Sequence, residues 1–433
     1  MPWDGMWGQN GGRKVPETIR NVVLAAPVLG LVGLLAMAGK LAGGDEAAAA
    51  GAHGLVAEGF GAESRGGEGG EVIWVTNLED SGPGSFREAV TAEGPRVVKF
   101  EVGGIIKLAE RVVVENGRLT IDGASAADKG GITLYERGLS FSGLNCRDVI
   151  VRHIRLRRSR AEGDGIGIQD GAHRVVIDHC SVSWADDENF GINKGHYITV
   201  QWCIIAEGLI EGEHHKGAHS MGMLAAHGAN HISLHHNFWT GNVNRNALLY
   251  GVGGYGSGGA MPGTYAGENY ARYMPTAVFD FRSNLVYNFV GGTQLAEGVN
   301  VNVVNNHYRY GPSSKDGPEV NLSTAIYYPG SEQPRVYCSG NIGPHRPKGD
   351  GDDWAIVRVG GEYGSDDPLY RSDKPFVVPP VTTHPADELP ELVLKEAGAH
   401  PRDDVDLRLI EEFRNGMGKA GYGFLEWKEN QGL

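Results

Sequence analysis

Two acidic clusters carry the first chemistry in this sequence. Glu162, Asp164 and Asp170 put three carboxylates within nine residues, and Asp186, Asp187 and Glu188 follow in WADDENFGINKG. Glu162 and Asp164 leave one turn and Asp187 and Glu188 the next, so the four can lie within a strand spacing or two. Converging carboxylates repel strongly unless a cation stands between them. A hard divalent ion, Ca2+ above all because it tolerates irregular oxygen ligands, would relieve that repulsion. Acidic turns are also ordinary solvated surface, so the cluster gains weight only from its neighbours. One neighbour is GLIEGEHHKGAHSMG, with His214, His215, Lys216 and His219. It has neither an HExxH helix nor a cysteine partner for zinc, and an insertion carrying one functional lysine, Lys216, fits better. Arg245, in NVNRNALLYG, would be an ordinary surface residue but for its place beside these groups.

An internal repeat would position them. VVIDHCSVSW, ITVQWCIIAE and ISLHHNFWTG superpose without gaps when Asp178, Gln201 and His235 are matched. One column then holds Cys180, Cys203, Asn237, Asn284, Asn306 and Asn341, with a base unit of 22 to 23 residues and insertions between units. Units that short cannot bury an apolar face alone and must stack on one another. Apolar residues alternate in period 2 (Val176, Cys180, Val182; Ile198, Val200; Ile232, Leu234), the pattern of strands with one face inward. Parallel strands stack ~4.8 Å apart, so an inward Asn on each rung can bond the next amide and satisfy itself inside an apolar tube. The fold class is therefore all-β, a single-stranded parallel β-helix. A short helix from Ser85, with Phe86 and Val90 on one face, caps its first end. The terminal helix, with Val405, Leu409 and Phe413 at i, i+4, i+8, belongs to a tail packed on the outside.

With 67 glycines among 433 residues and 21% charged residues, the composition suits tight turns between short strands. The net charge of −14 argues against nucleic acid and against a broad basic surface, so any acidic polymer must be held locally or through a metal. Four cysteines are too few for a disulfide scaffold, and Cys180 and Cys203 read as stacked thiols in the core. Residues 21–39 are uncharged and mostly apolar behind Arg13, Lys14 and Arg20, so residues 1–50 read as a secretory signal or a membrane anchor. Either places the remainder outside the cytoplasm. Residues 51–70 read as a flexible linker, 71–345 as the β-helix and 346–433 as the wrapping tail. The Gly/Tyr-rich stretch from Tyr250 to Tyr273 is long enough to wall a cleft. The crowded Arg152, Arg155, Arg157, Arg158 and Arg160 read as a solvated outer face.

In this order, VVIDHCSVSWADDE, ITVQWCIIAE, HHKGAHSMG and HHNFWTGNVNRN resemble the bacterial pectate lyases of polysaccharide lyase family 1. The likeness extends to DSGPGSFREAV and GPRVVKFEVGG upstream and to AGAHPRDDVDLRLI downstream. It implies a right-handed β-helix and Ca2+-assisted β-elimination on polygalacturonate by a monomer. It also assigns roles: Arg245 as catalytic base, Lys216 as a catalytic and substrate-binding cation, and Glu162, Asp164, Asp187 and Glu188 as metal ligands. His236 is counted with Lys216 and Arg245 among the substrate-contacting residues. There are two departures. No carboxylate stands near Ile192 and Asn193, and the second arginine expected shortly after Arg245 is replaced by Leu248. Two rival readings remain. One is a β-helix glycoside hydrolase using Asp164, Asp186 and Asp187; the other is a non-catalytic carbohydrate-binding solenoid on the cell surface.

Overall fold

The computed structural model describes residues 55–161, 163–251, 277–326 and 332–432. Each coil visits three sheets in turn. In the central coils, His173–Asp178 lies in sheet 1, Ser181–Ala185 in sheet 2 and Glu188–Asn193 in sheet 3, before His196–Gln201 re-enters sheet 1. Among the described residues, sheets 1 and 3 have ten strands each and sheet 2 has eight. Coils pair in parallel and in register, with Asp178 beside Gln201 and Gln201 beside His235. That is the alignment the repeat implies, and it makes a parallel β-helix.

The interior is filled from all three sheets: Val175, Ile177, Val182, Phe190, Ile192, Ile198 and Val200 belong to one buried cluster. Val176 corrects the expected inward set. It faces outward, and it is buried because Leu55 and Ile150 pack over it.

The corner between sheets 1 and 2 explains the repeat column. Its first residue is left-handed on successive coils, with φ of 49° at His179, 53° at Trp202, 56° at His236, 51° at Ser283 and 50° at Asn305. The sharp turn drives the next side chain inward, where the column residues stack. Cys203 N–H donates to Asn237 Oδ1 (2.9 Å), Asn237 Nδ2 to Asn284 Oδ1 (3.1 Å), Asn284 Nδ2 to Asn306 Oδ1 (3.1 Å) and Asn306 Nδ2 to Asn341 Oδ1 (2.9 Å). Each amide also reaches a main-chain carbonyl, such as that of Val200 or Leu234. Cys180 and Cys203 are free, buried thiols, and Cys180 N–H donates to Cys203 Sγ (3.4 Å).

The ends of the domain differ from the expected division. Residues 55–70 are packed over sheet 1: Phe60 N–H donates to Ser233 Oγ, Gly61 N–H to Thr199 Oγ1 and Gly67 N–H to Thr120 Oγ1. Gly61 and Gly67 lie so close to the sheet that a Cβ would fall 2.6 Å from the Val175 carbonyl oxygen and 1.8 Å from that of Arg96. A Gly-rich composition here serves close packing, so the linker reading fails for these residues. Sheet 3 also continues through Val357–Val359, past the boundary drawn at residue 345.

Helix α1 (Phe86–Thr91) starts at Ser85, whose side chain accepts from Glu88 N–H, and it buries Phe86 and Val90. The tail holds three helices, α2 (Leu389–Glu396), α3 (Asp404–Asn415) and α4 (Phe424–Gln431). They cover the apolar outer face of sheet 2, joining Leu409, Phe413 and Trp427 to Trp184, Phe238 and Tyr287. This covering overturns the solvated reading for Arg155, Arg157 and Arg158, while Arg160 stays exposed. Arg157 is wholly buried, with Nη2 2.8 Å from both Asp403 Oδ1 and Asp406 Oδ1, and Arg155 is bound by Thr133, Gly130 and Pro401. Burial is affordable for such charges only when each is paired.

Removing one rung amide should expose what the column contributes. Asn284 Oδ1 accepts from Asn237 N–H, Asn237 Nδ2 and Trp239 Nε1. Asn284→Ala strands these buried donors and should cost ~3 kcal/mol, seen as a lower denaturant midpoint; an unchanged midpoint would count against a structural ladder.

Candidate active site

The candidate site lies at the corner between sheets 2 and 3, where four consecutive coils each deliver part of it. Asp164 precedes strand Ile166–Gln169, and Asp187 precedes Glu188, which opens Glu188–Asn193. The 207–220 insertion precedes Met221–Ala226, and Arg245 precedes Leu248–Leu249. Parallel register sets the four segments side by side.

Oxygens of Asp164, Asp187 and Glu188 lie within 4.8 Å of one another. Ligands at 2.3–2.6 Å from a calcium-sized ion are at most roughly 5 Å apart, so an oxygen-only donor set of this size suits a hard divalent cation. Glycine makes the cluster possible: a Cβ on Gly191 would fall 2.0 Å from Asp164 Oδ2. The floor of the site therefore comes from the position that a larger residue would block. Glu162 lies outside the described residues. Asp170 belongs to another turn, at the far end of its strand, and pairs with Lys194 (3.4 Å).

Arg245 meets Glu188 directly and is largely buried. A second polar ladder holds its turn. Asn189 Nδ2 donates to Asn242 Oδ1 (3.1 Å), Asn242 Nδ2 to Asn246 Oδ1 (3.0 Å) and Asn246 Nδ2 to the Gly291 carbonyl (2.9 Å). Burial pushes the Arg245 guanidinium down, while Asp187 and Asp164 pull it back up. The same burial, with Asp187 adding to it, pushes Asp164 up to about 7. Burial acts on Asp187 too, yet the hydrogen bond and charge of His219, helped by His214 and Arg245, hold it below the usual carboxylate range.

His214 and His219 were discounted with the zinc reading, yet they reach the site. His219 Nε2 is 2.9 Å and His214 Nε2 3.5 Å from Asp187 Oδ1, and the two rings stack at 4.1 Å. Lys216 is exposed on the same insertion, and its N–H donates to His214 Nδ1 (3.2 Å). Arg111 was also missed. It donates to Ser140 Oγ (2.9 Å) and to the Asp164 carbonyl (3.1 Å).

His236 does not belong to this group. It turns the corner between sheets 1 and 2, buried and stacked on Trp202 at 4.2 Å, and shares hydrogen bonds with His235 (2.9 Å) and His384 (2.8 Å). Burial beside His235 and His384 pushes it down to about 2, so it is a neutral structural residue. Asp186 is likewise withdrawn: it is fully buried against Arg158 (2.9 Å), which removes one of the carboxylates needed by the hydrolase reading. Ile192 points into the core and Leu248 outward from sheet 3 between Leu224 and Gln294, so neither departure is made good in place.

Comparison with known proteins identifies the family. A probable pectate lyase C of Aspergillus fumigatus is 40% identical over 285 residues, which are 63% of this chain and 64% of the relative. One from Emericella nidulans is 36% identical over 351 residues, 74% of this chain and 78% of the relative. The chain belongs to the pectate lyase family. A further pectate lyase C, from Aspergillus terreus, is 32% identical over 414 residues and is covered for 92% of its length. These relatives are fungal, where the motifs alone suggested bacterial ones. Among solved structures, the pectate lyase of Acidovorax avenae subsp. citrulli (TM-score 0.54, 14% identity, 84% of this chain and 99% of that one) shares the fold. So does the cedar pollen allergen jun a 1 (TM-score 0.50, 16% identity, 79% and 92%). No protein-family model matches the chain.

The raised Asp164 sets the sign of a pH effect in this pectate lyase fold. The folded state holds a proton that the unfolded chain releases near pH 4, so without a cation stability falls as pH rises from about 4 to about 7. Asp164→Asn should flatten that slope. Thermal midpoints of both proteins at pH 5 and pH 8 in chelator check this, and parallel slopes would contradict it.

Proposed function

We propose that this chain is a secreted pectate lyase that cleaves polygalacturonate by Ca2+-assisted β-elimination, yielding unsaturated oligogalacturonides. The observation that carries the reading is the meeting of a half-buried Arg245 with Glu188, itself one of three carboxylates gathered at one corner of the solenoid. An acidic protein needs such a device to hold an acidic polymer. Asp164, Asp187 and Glu188 would hold the ion, with Glu162 as a further ligand taken from the family resemblance. Held there, such an ion would supply positive charge for the uronate carboxylate as negative charge builds on it with loss of the C5 proton. Lys216 would add a fixed positive charge from the insertion above.

Arg245 is the base. A guanidinium is ordinarily protonated at any physiological pH, so its acidity must be raised. Burial does this, and Asp187 and Asp164, whose charges oppose it, are among the residues that would hold the cation. Neutral Arg245 takes the C5 proton, the electron pair forms the C4–C5 double bond, the C4–O bond breaks, and the departing oxygen takes a proton from solvent. An alkaline optimum follows. For export, the supporting feature is the apolar 21–39 segment, which lies outside the described residues; none of the described helices is long and apolar enough to cross a membrane.

The reaction is checked by ultraviolet absorbance of the unsaturated product from polygalacturonate with and without chelator. Chelator should abolish the signal. Arg245→Lys should lower turnover by at least about a hundredfold while cation-dependent binding persists. Turnover that survives either change would overturn the assignment.

A further inference from the structure

The corner that carries the site also carries a file of arginines on the coils before it, and their partners divide them into two kinds. Arg87 is paired with Asp80 (2.6 Å), Arg158 with Asp186 (2.9 Å) and Arg160 with Glu136 (3.4 Å) and Glu213. Arg111 and Arg137 have no carboxylate partner among the described residues. Both are nonetheless held in place: Arg111 by Ser140 Oγ and the Asp164 carbonyl, Arg137 by the Ala109 carbonyl (3.0 Å). Neither is fully exposed. In a protein of net charge −14, two tethered guanidiniums that feel Asp164 and Glu213 only at longer range, and make no ion pair among the described residues, are cations with donors still to spend.

Register puts them in line with the cation pocket. Arg137 and Asp164 each stand two residues before the paired Leu139 and Ile166, and Arg111 stands one residue before Val112, which pairs with Leu139 from the other side. The outer face of sheet 3 beside them is kept low. Ser140 is paired with Gly167 and Gly167 with Gly191. A Cβ on Gly167 would fall 2.7 Å from Ser140 Oγ and 2.9 Å from Gln169 Nε2. This strip runs from the carboxylates toward the N-terminal cap, away from Arg245.

We infer that Arg111 and Arg137 form an anion-binding lane for the carboxylates of uronate residues lying on the N-terminal side of the cation pocket. The inference rests on the proposed lyase function and deepens it. Arg111 spends one donor on Ser140 and one on a backbone carbonyl, which leaves further N–H groups of its fork for a carboxylate. The lane also answers the departure at Leu248: positive charge missing beyond Arg245 is supplied from the other side of the carboxylates.

The test uses the full chain with Arg111→Gln, Arg137→Gln, the double variant and Arg111→Lys. An Arg118→Gln control changes an exposed arginine at the turn between sheets 3 and 1. Binding of a defined oligogalacturonate is titrated in the Arg245→Lys background at saturating Ca2+, and Ca2+ affinity is titrated separately without sugar. The double variant should bind the oligosaccharide about tenfold more weakly or worse, with Ca2+ affinity within about twofold of the parent. Arg111→Lys should recover part of the loss, and Arg118→Gln should show none. In otherwise unaltered protein, the double variant should raise KM more than it lowers kcat, and the rise should shrink on methyl-esterified pectin. Equal oligosaccharide binding in parent and double variant would overturn the lane. A fall in Ca2+ affinity parallel to that of the sugar would overturn it too, reducing Arg111 to a support for the Asp164 turn. Failure of the lyase reading is separate: it would appear as binding without any double-bond absorbance from the unaltered protein.

Discussion

Everything at this site depends on each coil ending directly above the coil beneath it. Backbone pairing alone allows strands to slide, but a side chain that must find its own kind one rung away does not. The amide stack from Asn237 through Asn341 fixes that phase at one corner, and Asn189, Asn242 and Asn246 fix it at another. Each member is buried and satisfied only when its neighbours are in register. The corner that gathers the carboxylates therefore inherits its geometry from polar groups that never face solvent.

That regularity makes an electrostatic problem useful. Stacking brings Asp164, Asp187 and Glu188 together although ion-free carboxylates at such range resist ionisation. The chain meets the resulting field in three ways. Asp164 is pushed toward its protonated form, Asp187 is held ionised by His219, and Glu188 is met by Arg245. All three arrangements answer the same crowding of negative charge at one corner of the solenoid, and each uses a group from a different coil.

Much of this was legible in the residues. Cys180, Cys203 and the later asparagines could be aligned because their type and interval recur, and that alignment fixed which turns would stack. What escaped has physical causes. Val176 and the Arg155–Arg157 strand were misjudged because period 2 separates two faces without saying which is covered, and here α3 and residues 55–70 cover both outer surfaces. His236 was misplaced because it adjoins a ladder residue in a strand leading toward Arg245, yet it occupies the left-handed position of a different corner. Arg111 is 53 positions from the Asp164 carbonyl it holds, and no local pattern links residues two coils apart. The second asparagine set was hidden by the long 207–220 insertion, which breaks its spacing.

The strap formed by residues 55–70 has a consequence for how such a tube comes apart. Solenoids generally fray from their termini, because an end coil has only one neighbour. Here Glu58 accepts from Thr382 N–H (2.9 Å) and Oγ1 (2.6 Å), and its main chain is bound to Gln201 and Thr199. Gly59 N–H reaches the Pro380 carbonyl as well (3.2 Å). Segments from both ends of the described chain are thus knotted onto the middle rungs, like the crossed ends of a bandage. Unwinding from either terminus must first lift this knot, so the coils that carry the carboxylates are among the last to open, and the domain should resist proteases as one cooperative body rather than erode rung by rung.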